Sequence, residues 1–125
     1  MVDYVQEVLV RLGREFTSHR AWVFGHAGDG NLHFVVAPSE GNSIAVNNSG
    51  ATNAELPPLR ERVERAVYEP LEVRGGSVSG EHGIGLEKKG WLSICRNAEE
   101  LELMRRLKNM FDPEGILNPG RIFDV

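Results

Sequence analysis

The stretch Ala21-Trp22-Val23-Phe24-Gly25-His26-Ala27-Gly28-Asp29-Gly30-Asn31-Leu32-His33-Phe34-Val35-Val36 decides the fold of this chain. Two apolar runs rich in β-branched and aromatic residues flank a glycine-rich centre, the pattern of a β-hairpin. Asp29-Gly30 is the dipeptide that favours a two-residue hairpin turn. Counting outward from that turn sets Gly28 against Asn31, Ala27 against Leu32 and His26 against His33. The two imidazoles then leave one face as direct cross-strand neighbours, with Cβ atoms roughly 5 Å apart. From there both rings reach a single divalent ion at metal–nitrogen distances of about 2 Å. A one-residue slip would weaken the pairing, because successive side chains alternate faces. Two histidines on a sheet face are often no more than polar surface. Gly25, Gly28 and Gly30 leave the backbone open to a close neighbour and favour a site.

Upstream, Val5, Val8, Leu9, Leu12 and Phe16 recur at helical spacing, so Val2 to about Ser18 reads as an amphipathic helix feeding the first strand. Downstream the hairpin ends at Pro38. Ser39 to Asn53 is rich in Gly, Ser and Asn without periodicity and is expected to be a mobile surface loop. A second helix is predicted from Pro57 to about Val73, with Leu59, Val63, Ala66, Val67 and Leu71 as its apolar stripe and Gly75-Gly76 as its stop. Pro70 should bend that helix or end it early. A short strand is expected at Ser77-Val78-Ser79. A third helix follows from about Ala98 to Met110, with Asn97 as N-cap, Glu99 and Glu100 in its first turn and Arg105, Arg106 and Lys108 toward its end. Asp112-Pro113 closes it, and the turn-rich, then apolar tail suggests an end tied down. The order helix, hairpin, helix, strand, helix points to an α+β fold, a mainly antiparallel sheet with helices on one face in a ferredoxin-like layer.

The chain has 125 residues, 41% hydrophobic and 26% charged, which suits one domain or fragment spanning residues 1–125 with a buried core. A formal charge of −4 without a Lys/Arg-rich block argues against nucleic acid as a partner. Cys95 is the single cysteine, which excludes an internal disulfide and a cysteine zinc cluster and fits a reducing, cytoplasmic setting with Cys95 as packing. No apolar run approaches the roughly 20 residues needed to cross a bilayer, and the start lacks the pattern of a secretory signal, so the chain is expected to be soluble.

Gly80-Glu81-His82-Gly83-Ile84-Gly85 supplies what the hairpin lacks. Adjacent side chains in a strand point to opposite faces, but a glycine-flanked loop lets Glu81 and His82 turn toward one cavity. His26, His33 and Glu81 would make two imidazoles and one carboxylate with an open position, the form of a catalytic metal site. His82 would be left as general base, since a histidine's neutral form is available near pH 7. The alternative is a surface turn with two polar residues. The glycine spacing is not that of the dinucleotide fingerprint.

Three motifs in order, GHAGDGNLH at 25–33, SGEHGIG at 79–85 followed by Lys88, and FDPEGILNPGRI at 111–122, resemble the C-terminal region of FAD-dependent D-2-hydroxy acid dehydrogenases. That group includes D-lactate dehydrogenases, the glycolate oxidase flavin subunit and D-2-hydroxyglutarate dehydrogenase. The resemblance covers nearly all of the chain but only the last quarter or so of such an enzyme, whose FAD is held mainly by a separate N-terminal domain. It implies that His26, His33 and Glu81 hold a divalent metal, zinc before manganese or iron, that His82 takes the substrate hydroxyl proton, and that Asn118 lies near the flavin. Asp29 and Asn31 would hold the turn and orient the ligands. Val35 stands where some branches carry a polar substrate-contacting residue, which suggests a smaller or less polar acid side. Expected partners are a small 2-hydroxy acid and the missing FAD-binding domain or subunit. A homodimer, and membrane association only through electron-transfer partners, are further expectations. The isolated chain should be inactive. Two other classes compete: a non-catalytic module that associates with a separate flavoprotein subunit, and a metal-dependent hydrolase, disfavoured because the spacing matches no protease helix motif.

Overall fold

The computed structural model describes residues 1–38 and 58–124, so the loop expected at Ser39 to Asn53 lies outside the described residues. In order come helix α1 (Val2–Glu15), strands β1 (His19–His26) and β2 (Asn31–Pro38), helix α2 (Leu59–Glu72), a 3₁₀ turn (Lys89–Ile94) and helix α3 (Ala98–Phe111). The fold is α+β, as expected, with one antiparallel β1–β2 sheet among the described residues. The chain divides into two compact units, Met1–Pro70 and Leu71–Val125.

In the first unit, α1 and α2 bury Val8, Leu12, Phe16, Ala66 and Val67 as a core, against which Ala21, Phe34 and Val36 of the sheet pack. Ala21 opposes Val36 and Val23 opposes Phe34, so the inner face of the hairpin is the apolar set that period-two alternation predicts. Burial of these side chains supplies the main stabilisation, about 1.5–3 kcal/mol for each fully covered Val, Leu or Phe. Helix α1 ends at Glu15, three residues before the expected limit of Ser18, because Phe16 turns to extended geometry (φ −128°, ψ 123°) to enter the core. Arg62 closes that helix end. It donates to the Glu15 carbonyl at 2.5 Å and its carboxylate at 2.9 Å while lying 4.6 Å over the Phe16 ring. Tyr4 Oη donates to the Val67 carbonyl at 2.7 Å, linking the two helices.

Helix α2 runs through Pro70 to Glu72, one residue short of the expected limit of Val73, while the expected start at Pro57 lies outside the described residues. Pro70 forfeits one helical hydrogen bond, yet it is fully buried, and that packing offsets the loss. The turn after Glu72 closes at Gly75, whose φ of 65° is in the left-handed region, with the Arg74 and Gly76 amides donating to the Leu71 carbonyl at 3.1 Å each.

The second unit forms no strand at Ser77-Val78-Ser79. Ser77 Oγ donates to the Ser79 carbonyl at 3.0 Å and accepts from the Ser79 amide at 3.3 Å, so the serine satisfies locally the groups a sheet partner would use. Val78 is nonetheless buried. Helix α3 begins as expected at Asn97, in a reciprocal capping box with Glu100, and runs one residue past Met110 to Phe111. The tail is tied down: the Ile122 amide donates to the Gly85 carbonyl at 2.8 Å, and Lys89 Nζ meets the Asp124 carboxylate at 2.7 Å. No helix of the described residues is long and apolar enough to cross a membrane.

Buried Asp112 organises the turn after α3, accepting the Ile116 and Leu117 amides at 3.0 Å each and the Lys108 ammonium. The Lys108 hydrogen bond, with the two amides, holds its carboxyl below the ordinary carboxylate range against the opposing effect of burial. With the folded value depressed, the stabilisation is complete above about pH 4 and is lost as pH falls through the folded value. Protection of the Ile116 and Leu117 amides, followed by hydrogen exchange against pH, should therefore persist to pH 4 and fail below it. Loss near pH 6 would contradict this role for Asp112.

Candidate functional site

The hairpin pairs in a register two residues away from the one counted on a two-residue turn. His26 opposes Asn31, Gly25 opposes Leu32 and Phe24 opposes His33, leaving Ala27–Gly30 as a four-residue connection. Two local features select this register. Asp29 Oδ1 accepts the Asn31 amide at 3.0 Å, so the aspartate closes the loop with its side chain, and Gly30 takes a left-handed φ of 74°. Gly25 approaches the partner strand so closely that a Cβ there would lie 2.0 Å from the Asn31 carbonyl oxygen. Asp29 and Asn31 thus hold the turn, as expected of them.

A slip of two residues, unlike a slip of one, preserves the face. His26 and His33 still project from the same side of the hairpin, as diagonal instead of direct neighbours. Their ring centroids are 6.4 Å apart at an interplanar angle of 77°. Two imidazoles on one tetrahedral ion, each with a metal–nitrogen distance of about 2 Å, have centres roughly 5–6 Å apart. One ring nitrogen of His26 lies within 4.8 Å of one of His33. His26 is exposed and His33 half-buried, and both carry imidazole nitrogen donors of the kind that zinc, manganese or iron accept, so the pair fits a divalent ion. Phe24, the residue opposite His33, stacks on it with centroids 5.3 Å apart and planes within 19°. The same outward face continues through the opposed pair Trp22 and Val35, which are 50% and 48% exposed.

The second unit carries Glu81, His82 and Asn118. The glycine-flanked loop brings the two adjacent side chains together, His82 Nε2 lying 3.8 Å from Glu81 Oε2 with both exposed. Ser79 and Lys88 brace this loop. Ser79 Oγ donates to the Gly83 carbonyl at 2.8 Å, Lys88 Nζ reaches Ser79 Oγ at 3.4 Å, and the Lys88 amide donates to the Ile84 carbonyl at 3.1 Å. Asn118 is exposed in a left-handed conformation (φ 49°), and its carbonyl accepts the Arg121 amide at 3.3 Å. The Ile122–Gly85 hydrogen bond joins this NPG turn to the Glu81–His82 loop, so two of the three sequence motifs converge within one unit. Sequence reasoning did not single out Phe24 or Ser79. The signal for Phe24 was available, since Trp22, Phe24 and His26 alternate onto one face.

The family profile described as FAD linked oxidases, C-terminal domain, matches residues 1–122. The chain is similar to a D-2-hydroxyglutarate dehydrogenase of Stutzerimonas stutzeri, with 34% identity over 96% of this chain and 24% of the relative. A mitochondrial D-2-hydroxyglutarate dehydrogenase of Bos taurus is 39% identical over 98% of this chain and 20% of its own length. A glycolate oxidase subunit of Bacillus subtilis is 38% identical over 80% of this chain and 19% of its own. The chain thus spans about a fifth to a quarter of the curated relatives it matches.

Gly25→Ala should open the tip of the hairpin, because the added Cβ meets backbone that cannot rotate away. A cost of about 1–3 kcal/mol is expected. Denaturant unfolding with cross-strand proton contacts at His26–Asn31 would read it, and an unchanged stability with intact contacts would refute the close approach.

Proposed function

Because this chain belongs to the FAD linked oxidases, C-terminal domain, family, we propose that it is the substrate- and metal-site portion of a flavin-dependent oxidoreductase that converts a D-2-hydroxy acid to the 2-oxo acid. The observation that carries the reading is the pair of imidazoles on one face of a hairpin lying inside the matched residues. The relatives' names cover 2-hydroxyglutarate and glycolate, and what these compounds share is a hydroxyl on the carbon next to a carboxylate. That shared group is the substrate class proposed here.

His26 and His33 would bind the divalent ion, and Glu81 would add a carboxylate that offsets its charge. When bound, the ion would hold the substrate's hydroxyl and carboxylate and acidify the hydroxyl, while FAD would accept the hydride from C2. The His82 imidazole nitrogen would take the hydroxyl proton. Its exposure, 75% of the side chain, lets it pass that proton on to water. Proton and hydride together account for the two hydrogens lost when the alcohol becomes a carbonyl. Lys88 and Ser79 would keep the Glu81–His82 loop in shape, and Asn118 would lie near the flavin. The glycines of 80–85 do not have the dinucleotide spacing. The match to a C-terminal domain profile, over about a fifth to a quarter of the relatives' length, supports the reading that the FAD pyrophosphate and adenine would be held by a separate flavin-binding domain or subunit.

Metal analysis of the purified chain tests the reading. After addition of zinc or manganese and dialysis, about one equivalent should remain, and His33→Ala should weaken retention by more than about 100-fold, beyond what loss of an outer-shell partner produces. Equal retention by the wild-type chain and the variant would remove His33 from the ligand set. Tight, stoichiometric binding of FAD by the chain alone would contradict the proposed division of labour.

A further inference from the structure

We infer that Phe24 is a positioning residue for His33, holding its imidazole in the orientation from which the ring nitrogen binds a divalent ion. The inference rests on the ligand reading of His33 given above. Phe24 and His33 are direct partners across the β1–β2 ladder, and their rings are stacked, with centroids 5.3 Å apart and planes within 19°. A histidine binds metal through a lone pair in the plane of its ring, whereas a stacked neighbour occupies the face of the ring. The contact therefore fixes the ring's tilt without competing for the donor atom. An outward-facing imidazole on a strand otherwise turns broadly about its last torsion, and that freedom must be lost when an ion is bound. Stacking removes part of it in advance.

Among the described residues Phe24 takes no part in the buried core. It is 57% exposed, it belongs to the face opposite the buried core, and the core of the first unit is built without it. His26, two residues along the same strand, shares that face and stands 6.4 Å from His33 at 77°, so the two imidazole planes are set nearly at right angles. The stack on Phe24 keeps the His33 plane in that relation to His26. Trp22 provides an internal comparison. It is an aromatic residue of similar exposure on the same face, but it opposes Val35 and not a histidine.

The test uses zinc, and cobalt as a spectroscopic probe, on the full chain and four variants. Phe24→Leu should weaken both metals by about 10-fold, the lower range for removal of an outer-shell partner, with folding unchanged by circular dichroism. Phe24→Tyr keeps the stack and should bind as the wild type does, and Trp22→Leu should also be neutral. His33→Ala sets the floor. In parallel, side-chain NMR of the metal-free chain should show His33 ring protons shifted by the Phe24 ring current, with the shift and the ring's order lost in Phe24→Leu and kept in Phe24→Tyr. Binding by Phe24→Leu within twofold of wild type, or an equal loss in Trp22→Leu, would overturn the inference. If the wild-type chain binds no metal, the ligand reading fails, and the NMR comparison alone decides: an unchanged His33 ring in Phe24→Leu overturns the positioning role.

Discussion

The chemistry proposed for this chain depends on the parity of one hairpin register. In an antiparallel pair the side chains alternate with a period of two, so shifting the register by an even number of residues keeps a set on its face and an odd shift scatters it. His26 and His33 share a face because Phe24 is paired with His33 and His26 lies two residues beyond Phe24. The same parity that turns them outward turns Val23, Ala21, Phe34 and Val36 inward, and the last three pack on the core built by α1 and α2. The hydrophobic face and the imidazole face are two consequences of one register. A mutation that shifted the ladder by one residue would have to expose the core side in order to scatter the site.

That coupling explains where rigidity is placed. A two-stranded hairpin is marginal on its own and needs a helix layer to hold it. Leu12 and Val8 of α1 are fully buried, and Arg62 and Tyr4 tie α1 to α2 by hydrogen bonds. The tip, where the ladder ends, is held by shorter-range devices: the Asp29 side chain on the Asn31 amide and the close backbone approach at Gly25. In the second unit the Glu81–His82 loop has no regular structure, and its shape comes from Ser79, Lys88 and the hydrogen bond from Ile122 to Gly85. The FDPEGILNPGRI segment thereby supports the loop that carries the proposed base.

Much of this was legible in the residues. The period-two and period-3.6 patterns located the hairpin and the three α-helices of the described residues, and Asn97 marked the start of α3. The family likeness drawn from three motifs agrees with the profile matched over residues 1–122. What escaped was decided by interactions that sequence pattern does not encode. The Asp29 side chain, not the Asp29-Gly30 backbone preference, sets the loop length. Ser77 satisfies its own neighbours and removes the expected strand at 77–79. Pro70 left open whether α2 would bend or end early, and its burial accompanies a helix that runs on to Glu72. In each case a local propensity lost to a specific contact a few ångströms away.

The units hold different parts of the proposed site, His26 and His33 in one and Glu81, His82 and Asn118 in the other. The central claim is that His26, His33 and Glu81 share one ion. Cadmium NMR of the chain loaded with cadmium in place of zinc reports ligand identity directly, through scalar coupling of the metal to the ring protons of each bound histidine. The account predicts a single cadmium resonance coupled to both His26 and His33, uncoupled from His82, and displaced by Glu81→Ala. Coupling to only one of the two histidines, or a resonance indifferent to Glu81→Ala, would contradict it.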